Sequence, residues 1–174
     1  SYHIGRPEEL IESGIVKRIN EYDANSVWMS RVILDVLGWV KTRKGMLSLT
    51  AKGRKALQNI DMAANEILRA SLTRGVLHYF DGHDDPQPGN LGVAYSLWLV
   101  NKFGESWRSG AFYQQHYQSV FNIPDVYNIY ATRIFKRLFY WLGIIDKRDN
   151  KEKLRMLEND YRATELFSKI FSFK

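Results

Sequence analysis

The chain contains no cysteine, so its 174 residues have no disulfide, no thiolate metal ligand and no cysteine nucleophile. It also has no run of about 20 apolar residues, which a membrane-spanning helix needs. The first ten residues lack the charged and then apolar order of a secretory leader. These absences predict a cytoplasmic protein with no membrane partner. Because the sequence starts at Ser1 rather than at Met, we expect it to be a piece of a longer protein.

The usual catalytic motifs are missing as well. There is no phosphate-binding glycine loop, no serine elbow and no His-x-x-x-His pair. The triplet His83-Asp84-Asp85 has metal-ligating side chains, but it lies in a segment rich in Pro and Gly, for which a solvated loop is the better interpretation. We therefore predict no enzymatic activity, no cofactor and no metal site.

The sequence does contain an internal repeat. Residues 32–57 read VILDVLGWVKTRKGMLSLTAKGRKAL, and residues 137–171 repeat the same order in a longer form, RLFYWLGIIDKRDNKEKLRMLENDYRATELFSKIF. When Gly38 is aligned with Gly143, the apolar residues of the preceding helix keep a spacing of three and four residues, which gives one buried face. Thr50 and Thr164 then match at the start of the next helix, where a hydroxyl can cap the first turn. The distance from Gly to Thr grows from 12 to 21 residues, so the second copy has a longer turn.

Turn and periodicity patterns predict a mainly α fold with two small β-hairpins. Gly45 supplies the positive φ for a tight turn between strands at 39–42 and 46–49, and strands at 143–147 and 154–163 form the second hairpin. We expect helices at 7–20, 26–37, 50–60, 61–80, 91–103, 106–120, 125–142 and 164–173. The domains would be a first unit at 1–60, with less chain ahead of its Gly38 helix than the second copy has, a connecting helix at 61–80, a loop at 81–90, and a second unit at 91–174.

This order of helix, Leu-Gly stop, strand, basic turn, strand and Thr-capped helix resembles the winged-helix superfamily of helix-turn-helix proteins. The resemblance implies tandem winged-helix units joined by a long helix, each with one helix in the major groove of duplex DNA and a hairpin wing on the neighbouring groove or backbone. The motifs are generic, and the copies depart from each other. Phe167 stands where the first copy has Gly53, so the second unit could serve a structural role only.

Candidate DNA-binding residues follow from this resemblance and from charge. The net charge is +6, and six basic residues with no acidic neighbour lie between Lys41 and Lys55. Basic side chains neutralise phosphates and pair with guanine, while Asn and Thr read adenine or hold the backbone. The alternative is that the basic turns only keep the protein soluble. The candidates are Ser26, Trp28 and Arg31 on the first helix, Lys41, Arg43 and Lys44 on the first wing, Asn128, Thr132, Arg133, Lys136, Arg137 and Tyr140 on the second helix, and Lys147, Arg148 and Lys151 on the second wing.

Three functions fit these observations. The first is a module that binds duplex DNA within a larger protein. The second is a winged-helix scaffold that binds a protein partner in a larger complex, which exposed Trp28 and Tyr140 and the acidic middle of the chain favour. The third is the non-catalytic targeting domain of a DNA-processing enzyme whose other domains belong to the same chain.

Overall fold

The computed structural model describes residues 25–74, 77, 87–123, 128–149 and 159–173. These residues form mainly helices, with one two-stranded and one three-stranded antiparallel sheet. The described residues divide into two compact units. We call residues 25–74 the first unit and residues 77–173 the second unit. The helix expected at 7–20 and most of the loop expected at 81–90 lie outside the described residues.

Residues 25–74 of the first unit form three helices and a hairpin. Its elements are α1 (Asn25–Val36), β1 (Val40–Arg43), β2 (Met46–Leu49), α2 (Ala51–Ala56) and α3 (Ile60–Arg74). The helix expected at 50–60 ends early, and a new helix starts at Ile60 because the Asn59 side chain accepts a hydrogen bond from the amide of Met62, at 3.0 Å. The helix expected to connect the two units is α3, and it belongs to the first unit. It contacts α1 and α2, with Ala63, Ala70 and Ser71 buried.

The described part of the second unit forms four helical segments and the three-stranded sheet. Its elements are a turn at Gln87–Asn90, α4 (Val93–Phe103), β3 (Arg108–Ser109), α5 (Gly110–Phe121), a π-helix (Ala131–Phe139), β4 (Ile145–Arg148), β5 (Asp160–Ala163) and α6 (Glu165–Ile170), with strand order β3-β5-β4. The helix expected from residue 106 begins only at Gly110. Ser109 is its N-cap, since its hydroxyl accepts a hydrogen bond from the Phe112 amide at 3.2 Å. The two residues ahead of the helix pair with β5 instead.

The helix before Gly143 also differs from the expected α-helix. From Ala131 to Phe139 it is a π-helix, in which each turn is wider and hydrogen bonds span five residues. At its end the amide of Tyr140 donates to the carbonyls of Arg137 and Phe135. The buried side chains of Ala131, Ile134, Phe135 and Leu138 nevertheless keep the spacing of three and four residues that the sequence predicted.

Stacked aromatic rings form the core of the second unit. The rings of Tyr113 and Phe135 lie 4.3 Å apart, and those of Tyr117 and Tyr130 lie 3.9 Å apart. All four side chains are buried. Burial raises the pKa of Tyr113 to about 12, although the nearby Arg108 opposes the shift. The hydroxyl of Tyr130 is satisfied by Ser96 at 2.9 Å, so these tyrosines are packing residues rather than an aromatic rim for a ligand.

Both units close their hairpins with the same hydrogen bonds. Gly38 and Gly143 end their helices with φ of +69° and +71°, the left-handed conformation that glycine adopts at least cost. The hydroxyl of Thr50 donates to the Gly38 carbonyl at 2.7 Å, and that of Thr164 donates to the Gly143 carbonyl at 2.8 Å. The repeat in the sequence is thus a repeat of local structure, including the two Thr caps.

The two units differ where the second helix packs on the first strand. A Cβ atom at Gly53 would lie 2.2 Å from the carbonyl oxygen of Trp39, so only glycine lets α2 approach β1 this closely. Phe167 occupies the equivalent place in α6 and is buried, with its ring 5.0 Å from that of Phe171. The first unit therefore uses backbone contact at this position, and the second uses a large side chain.

Candidate nucleic-acid interface

The first hairpin stands on a tight turn and is exposed along its length. Arg43 pairs with Met46, which leaves Lys44 and Gly45 as a two-residue turn. Their φ angles of +52° and +76° are those of a type I′ turn, whose twist matches that of the flanking strands. The hairpin pairs with no other described strand, and every residue from 41 to 49 is exposed. This confirms the hairpin that the sequence predicted.

Four cations around this hairpin have no counter-charge. Lys52 and Arg54, which belong to the same basic run, donate to the carbonyls of Leu37 and Leu49, each at 2.9 Å. These two hydrogen bonds link α2 to the chain before it and stabilise the first unit. The remaining members of the run are exposed, and no carboxylate among the described residues lies within 4.0 Å of them: Lys41, Arg43, Lys44 and Lys55.

Arg31 connects α1 to the hairpin. Its guanidinium donates to the hydroxyl of Thr42 at 3.1 Å, and its Nε lies 3.9 Å from the carboxylate of Asp35. The side chain is 27% exposed. Ser26 and Trp28, the other candidates on this helix, are half-buried. The helix therefore contributes one cation that is already partly neutralised, whereas the hairpin contributes the unpaired ones.

The cations that the structure describes on the second hairpin are paired. Lys147 lies 3.2 Å from Asp149, and Arg148 lies 2.6 Å from Asp160, its cross-strand partner. Lys151 lies outside the described residues. Two positions along the same strands, Arg162 and its cross-strand partner Asp146 form a further ion pair at 3.6 Å. Within residues 145–149 and 159–163, the basic and acidic side chains of this hairpin therefore neutralise one another.

Trp107 reinforces these ion pairs. The guanidinium carbons of Arg148 and Arg162 each lie 4.8 Å from the centre of its ring, within the range of a cation–π interaction. Sequence reasoning did not find this residue. No local pattern could indicate it, because Trp107 precedes β3 and meets both arginines only through the pairing of β3 with β5 and of β5 with β4.

Arg133 was expected on the exposed face of the second helix, and that expectation is wrong. Its side chain is fully buried, and its guanidinium donates to the carbonyl of Pro88 at 2.8 Å. The turn at Gln87–Asn90 packs on this helix and covers the position, with Gly89 beside the Arg133 side chain. A contact between distant parts of the chain therefore buries this residue. A buried guanidinium cannot reach a phosphate without unfolding its surroundings.

The other candidates on the second helix are half-buried rather than prominent. Asn128 precedes the helix with φ of +55°, and Lys147 of the wing lies 5.5 Å from the ring of Tyr140. All five have intermediate exposure: Asn128, Thr132, Lys136, Arg137 and Tyr140. The structure thus brings this helix and the second hairpin together. Among the described residues, fewer exposed cations are available to a phosphate there than at the first hairpin.

Comparison with known proteins gives no relative for this chain. No family model, no curated protein and no solved structure matches it. Within the described residues no helix is long and apolar enough to cross a membrane, and no three His, Asp or Glu side chains gather as a metal site. Function must therefore be argued from the geometry of the two hairpins.

Proposed function

We propose that the chain carries two winged-helix units and that the first binds duplex DNA through its hairpin. The observation that carries this proposal is the set of exposed cations around the first hairpin that have no counter-charge, Lys41, Arg43, Lys44 and Lys55. Exposed cations on a projecting ribbon attract phosphates and release the counterions that surround DNA.

The place of Arg31 supports the same proposal. Its hydrogen bond to Thr42 puts the helix cation beside the hairpin, so helix and hairpin offer one surface to a ligand. Asp35 repels a phosphate at close range, which makes the hairpin the main anchor and α1 the secondary one. This division predicts binding that depends strongly on salt and weakly on base sequence.

The second unit better fits the alternative role, a scaffold that contacts protein. The described cations of its hairpin are paired with Asp149 and Asp160, and its surface exposes the aromatic ring of Trp98, whereas the large apolar side chains that the first unit exposes are aliphatic or Met. Tryptophan is enriched among the residues that contribute most to protein interfaces. The two units would then divide DNA contact and protein contact between them.

Titration of a labelled generic duplex at two salt concentrations tests the DNA-binding role. We expect the whole chain to bind with a Kd below about 10⁻⁴ M at low salt, and more weakly as salt rises. Arg43→Glu combined with Lys44→Glu should weaken binding by at least about tenfold, since two contacts become repulsive.

The matched control is Arg69→Glu combined with Arg74→Glu. It makes the same change in net charge at two exposed positions on α3, in the same unit. A general effect of charge would weaken binding equally in both double variants and would contradict a hairpin site. Absence of any binding tighter than about 10⁻⁴ M at low salt would rule out the proposed function.

A further inference from the structure

Met46 is a large apolar side chain at the tip of the basic hairpin, and it is 69% exposed. It directly follows the Lys44–Gly45 turn and pairs across the hairpin with Arg43. Side chains alternate between the two faces of a strand, so Met46 shares its face with Arg43 and Lys41, opposite the face that contains buried Val40. The most exposed apolar group of the hairpin thus lies among its unpaired cations.

This arrangement matches a ligand that is anionic outside and apolar inside. The cations would hold phosphates, while a methionine side chain, which is flexible and polarizable, adapts to an apolar gap. Removing such a side chain from water is favourable, but only if the ligand offers apolar surface within reach of its charged groups. Stacked bases beneath a phosphate backbone offer that combination.

The size of the hairpin adds a geometric condition. Neighbouring strands lie about 4.8 Å apart before side chains are counted, and the minor groove of B-DNA is only about 6 Å wide. The tip cannot enter an undistorted groove deeply. An apolar side chain that enters a base step opens the groove and bends the duplex, and the cost is lowest at flexible or unpaired steps.

We propose that Met46 is a wedge that enters a base step, so that the first hairpin prefers duplex DNA with a weakly stacked step, such as a mismatch. This inference rests on the proposed function, since it requires the hairpin to bind DNA. It adds the class of DNA that is preferred and the residue that sets the preference.

Two duplexes that differ only in one central mismatch test the wedge. The whole chain should bind the mismatched duplex about tenfold more tightly, because unstacking there has largely been done already. Met46→Ala and Met46→Gln should bind both duplexes equally and keep their affinity for the matched duplex within about twofold, since the phosphate contacts are unchanged. A donor–acceptor pair at the duplex ends should report bending by the unaltered chain and less bending by both variants.

Met62→Ala is the matched control, because Met62 is 60% exposed on α3 of the same unit. It should keep the full preference for the mismatch. Equal binding of both duplexes by the unaltered chain, with normal dependence on salt, would overturn the wedge and leave the proposed function standing. A preference that survives Met46→Ala would also overturn it, whereas failure to bind either duplex would overturn both proposals.

Discussion

The two hairpins have the same backbone closure but a different supply of charge. In each, a glycine ends the helix and a threonine hydroxyl donates to that glycine's carbonyl, at 2.7 Å from Thr50 and 2.8 Å from Thr164. Yet the cations of the first hairpin have no carboxylate partner among the described residues, while Lys147 and Arg148 of the second pair with Asp149 and Asp160. A conserved frame of hydrogen bonds therefore does not imply a conserved binding surface.

The same contrast appears in packing. Gly53 lets α2 touch the carbonyl of Trp39, and Phe167 fills the equivalent position in α6 with a buried ring. One frame can thus be closed by backbone contact or by a large side chain. At these matched positions, a larger side chain should therefore destabilise the first unit, whereas a smaller one should destabilise the second.

The largest change in the free energy of unfolding is expected when Phe167 or Gly53 is replaced. Phe167→Ala should lower the free energy of unfolding of the second unit by about 3–5 kcal/mol, because it leaves a cavity. Gly53→Ala should destabilise the first unit by about 1–3 kcal/mol, because the new Cβ displaces the Trp39 carbonyl. Amide hydrogen exchange measures both effects, since it reports on each unit separately.

Substitutions of exposed residues on the same helices should change the free energy of unfolding very little. The controls are Lys55→Ala on α2 and Ser168→Ala on α6, and both side chains are exposed. Equal tolerance of Gly53→Ala and Lys55→Ala would show that α2 and β1 are not in backbone contact.

A medium effect separates Arg133 from Arg31. Arg133→Gln should destabilise the second unit by about 2–3 kcal/mol, because it removes a charged hydrogen bond to the carbonyl of Pro88. It should leave affinity for DNA within about twofold, since a buried guanidinium makes no phosphate contact. Arg31→Gln should do the reverse, with weaker binding and little loss of stability. Loss of DNA affinity with unchanged stability in Arg133→Gln would place that side chain on the binding surface after all.

The smallest effect tests whether the two closures are equivalent. Thr50→Ala and Thr164→Ala should each cost about 1–2 kcal/mol, since each removes a helix cap and the bond to the preceding glycine carbonyl. Serine at either position should retain most of the stability because it keeps the hydroxyl. A silent Thr164→Ala beside a costly Thr50→Ala would mean that the two copies share a sequence pattern but not its energetic role.

Short sequence patterns predicted how the backbone of each hairpin is closed. The Leu-Gly stops, the threonine caps and the turn at Gly45 each depend on a few neighbouring residues, and the structure has all of them. The alternation of acidic and basic residues near Asp149 also indicated that cations of the second hairpin are less available to phosphates than those of the first.

Features that depend on long-range pairing were not predictable. The contacts of Trp107 require the register of β5 against two other strands, and nothing near Trp107 in the sequence encodes it. Arg133 was misplaced because the turn at Gln87–Asn90 packs over it, and Pro88, which accepts its hydrogen bond, lies 45 residues earlier in the sequence. The close approach at Gly53 depends on where α2 meets β1, so the sequence showed the glycine but not the reason for it.

We propose that the first hairpin, and not the second, supplies the phosphate contacts. The most direct test is the slope of log affinity against log salt for a generic duplex, measured for the whole chain and for two neutralised double variants. Arg43→Gln with Lys44→Gln should make the slope shallower by about 1.8, since each phosphate contact contributes about 0.9. Lys147→Gln with Arg148→Gln should change it by less than about 0.3, because those cations are already neutralised by Asp149 and Asp160. Equal changes from the two pairs, or a larger change from the second, would contradict the claim.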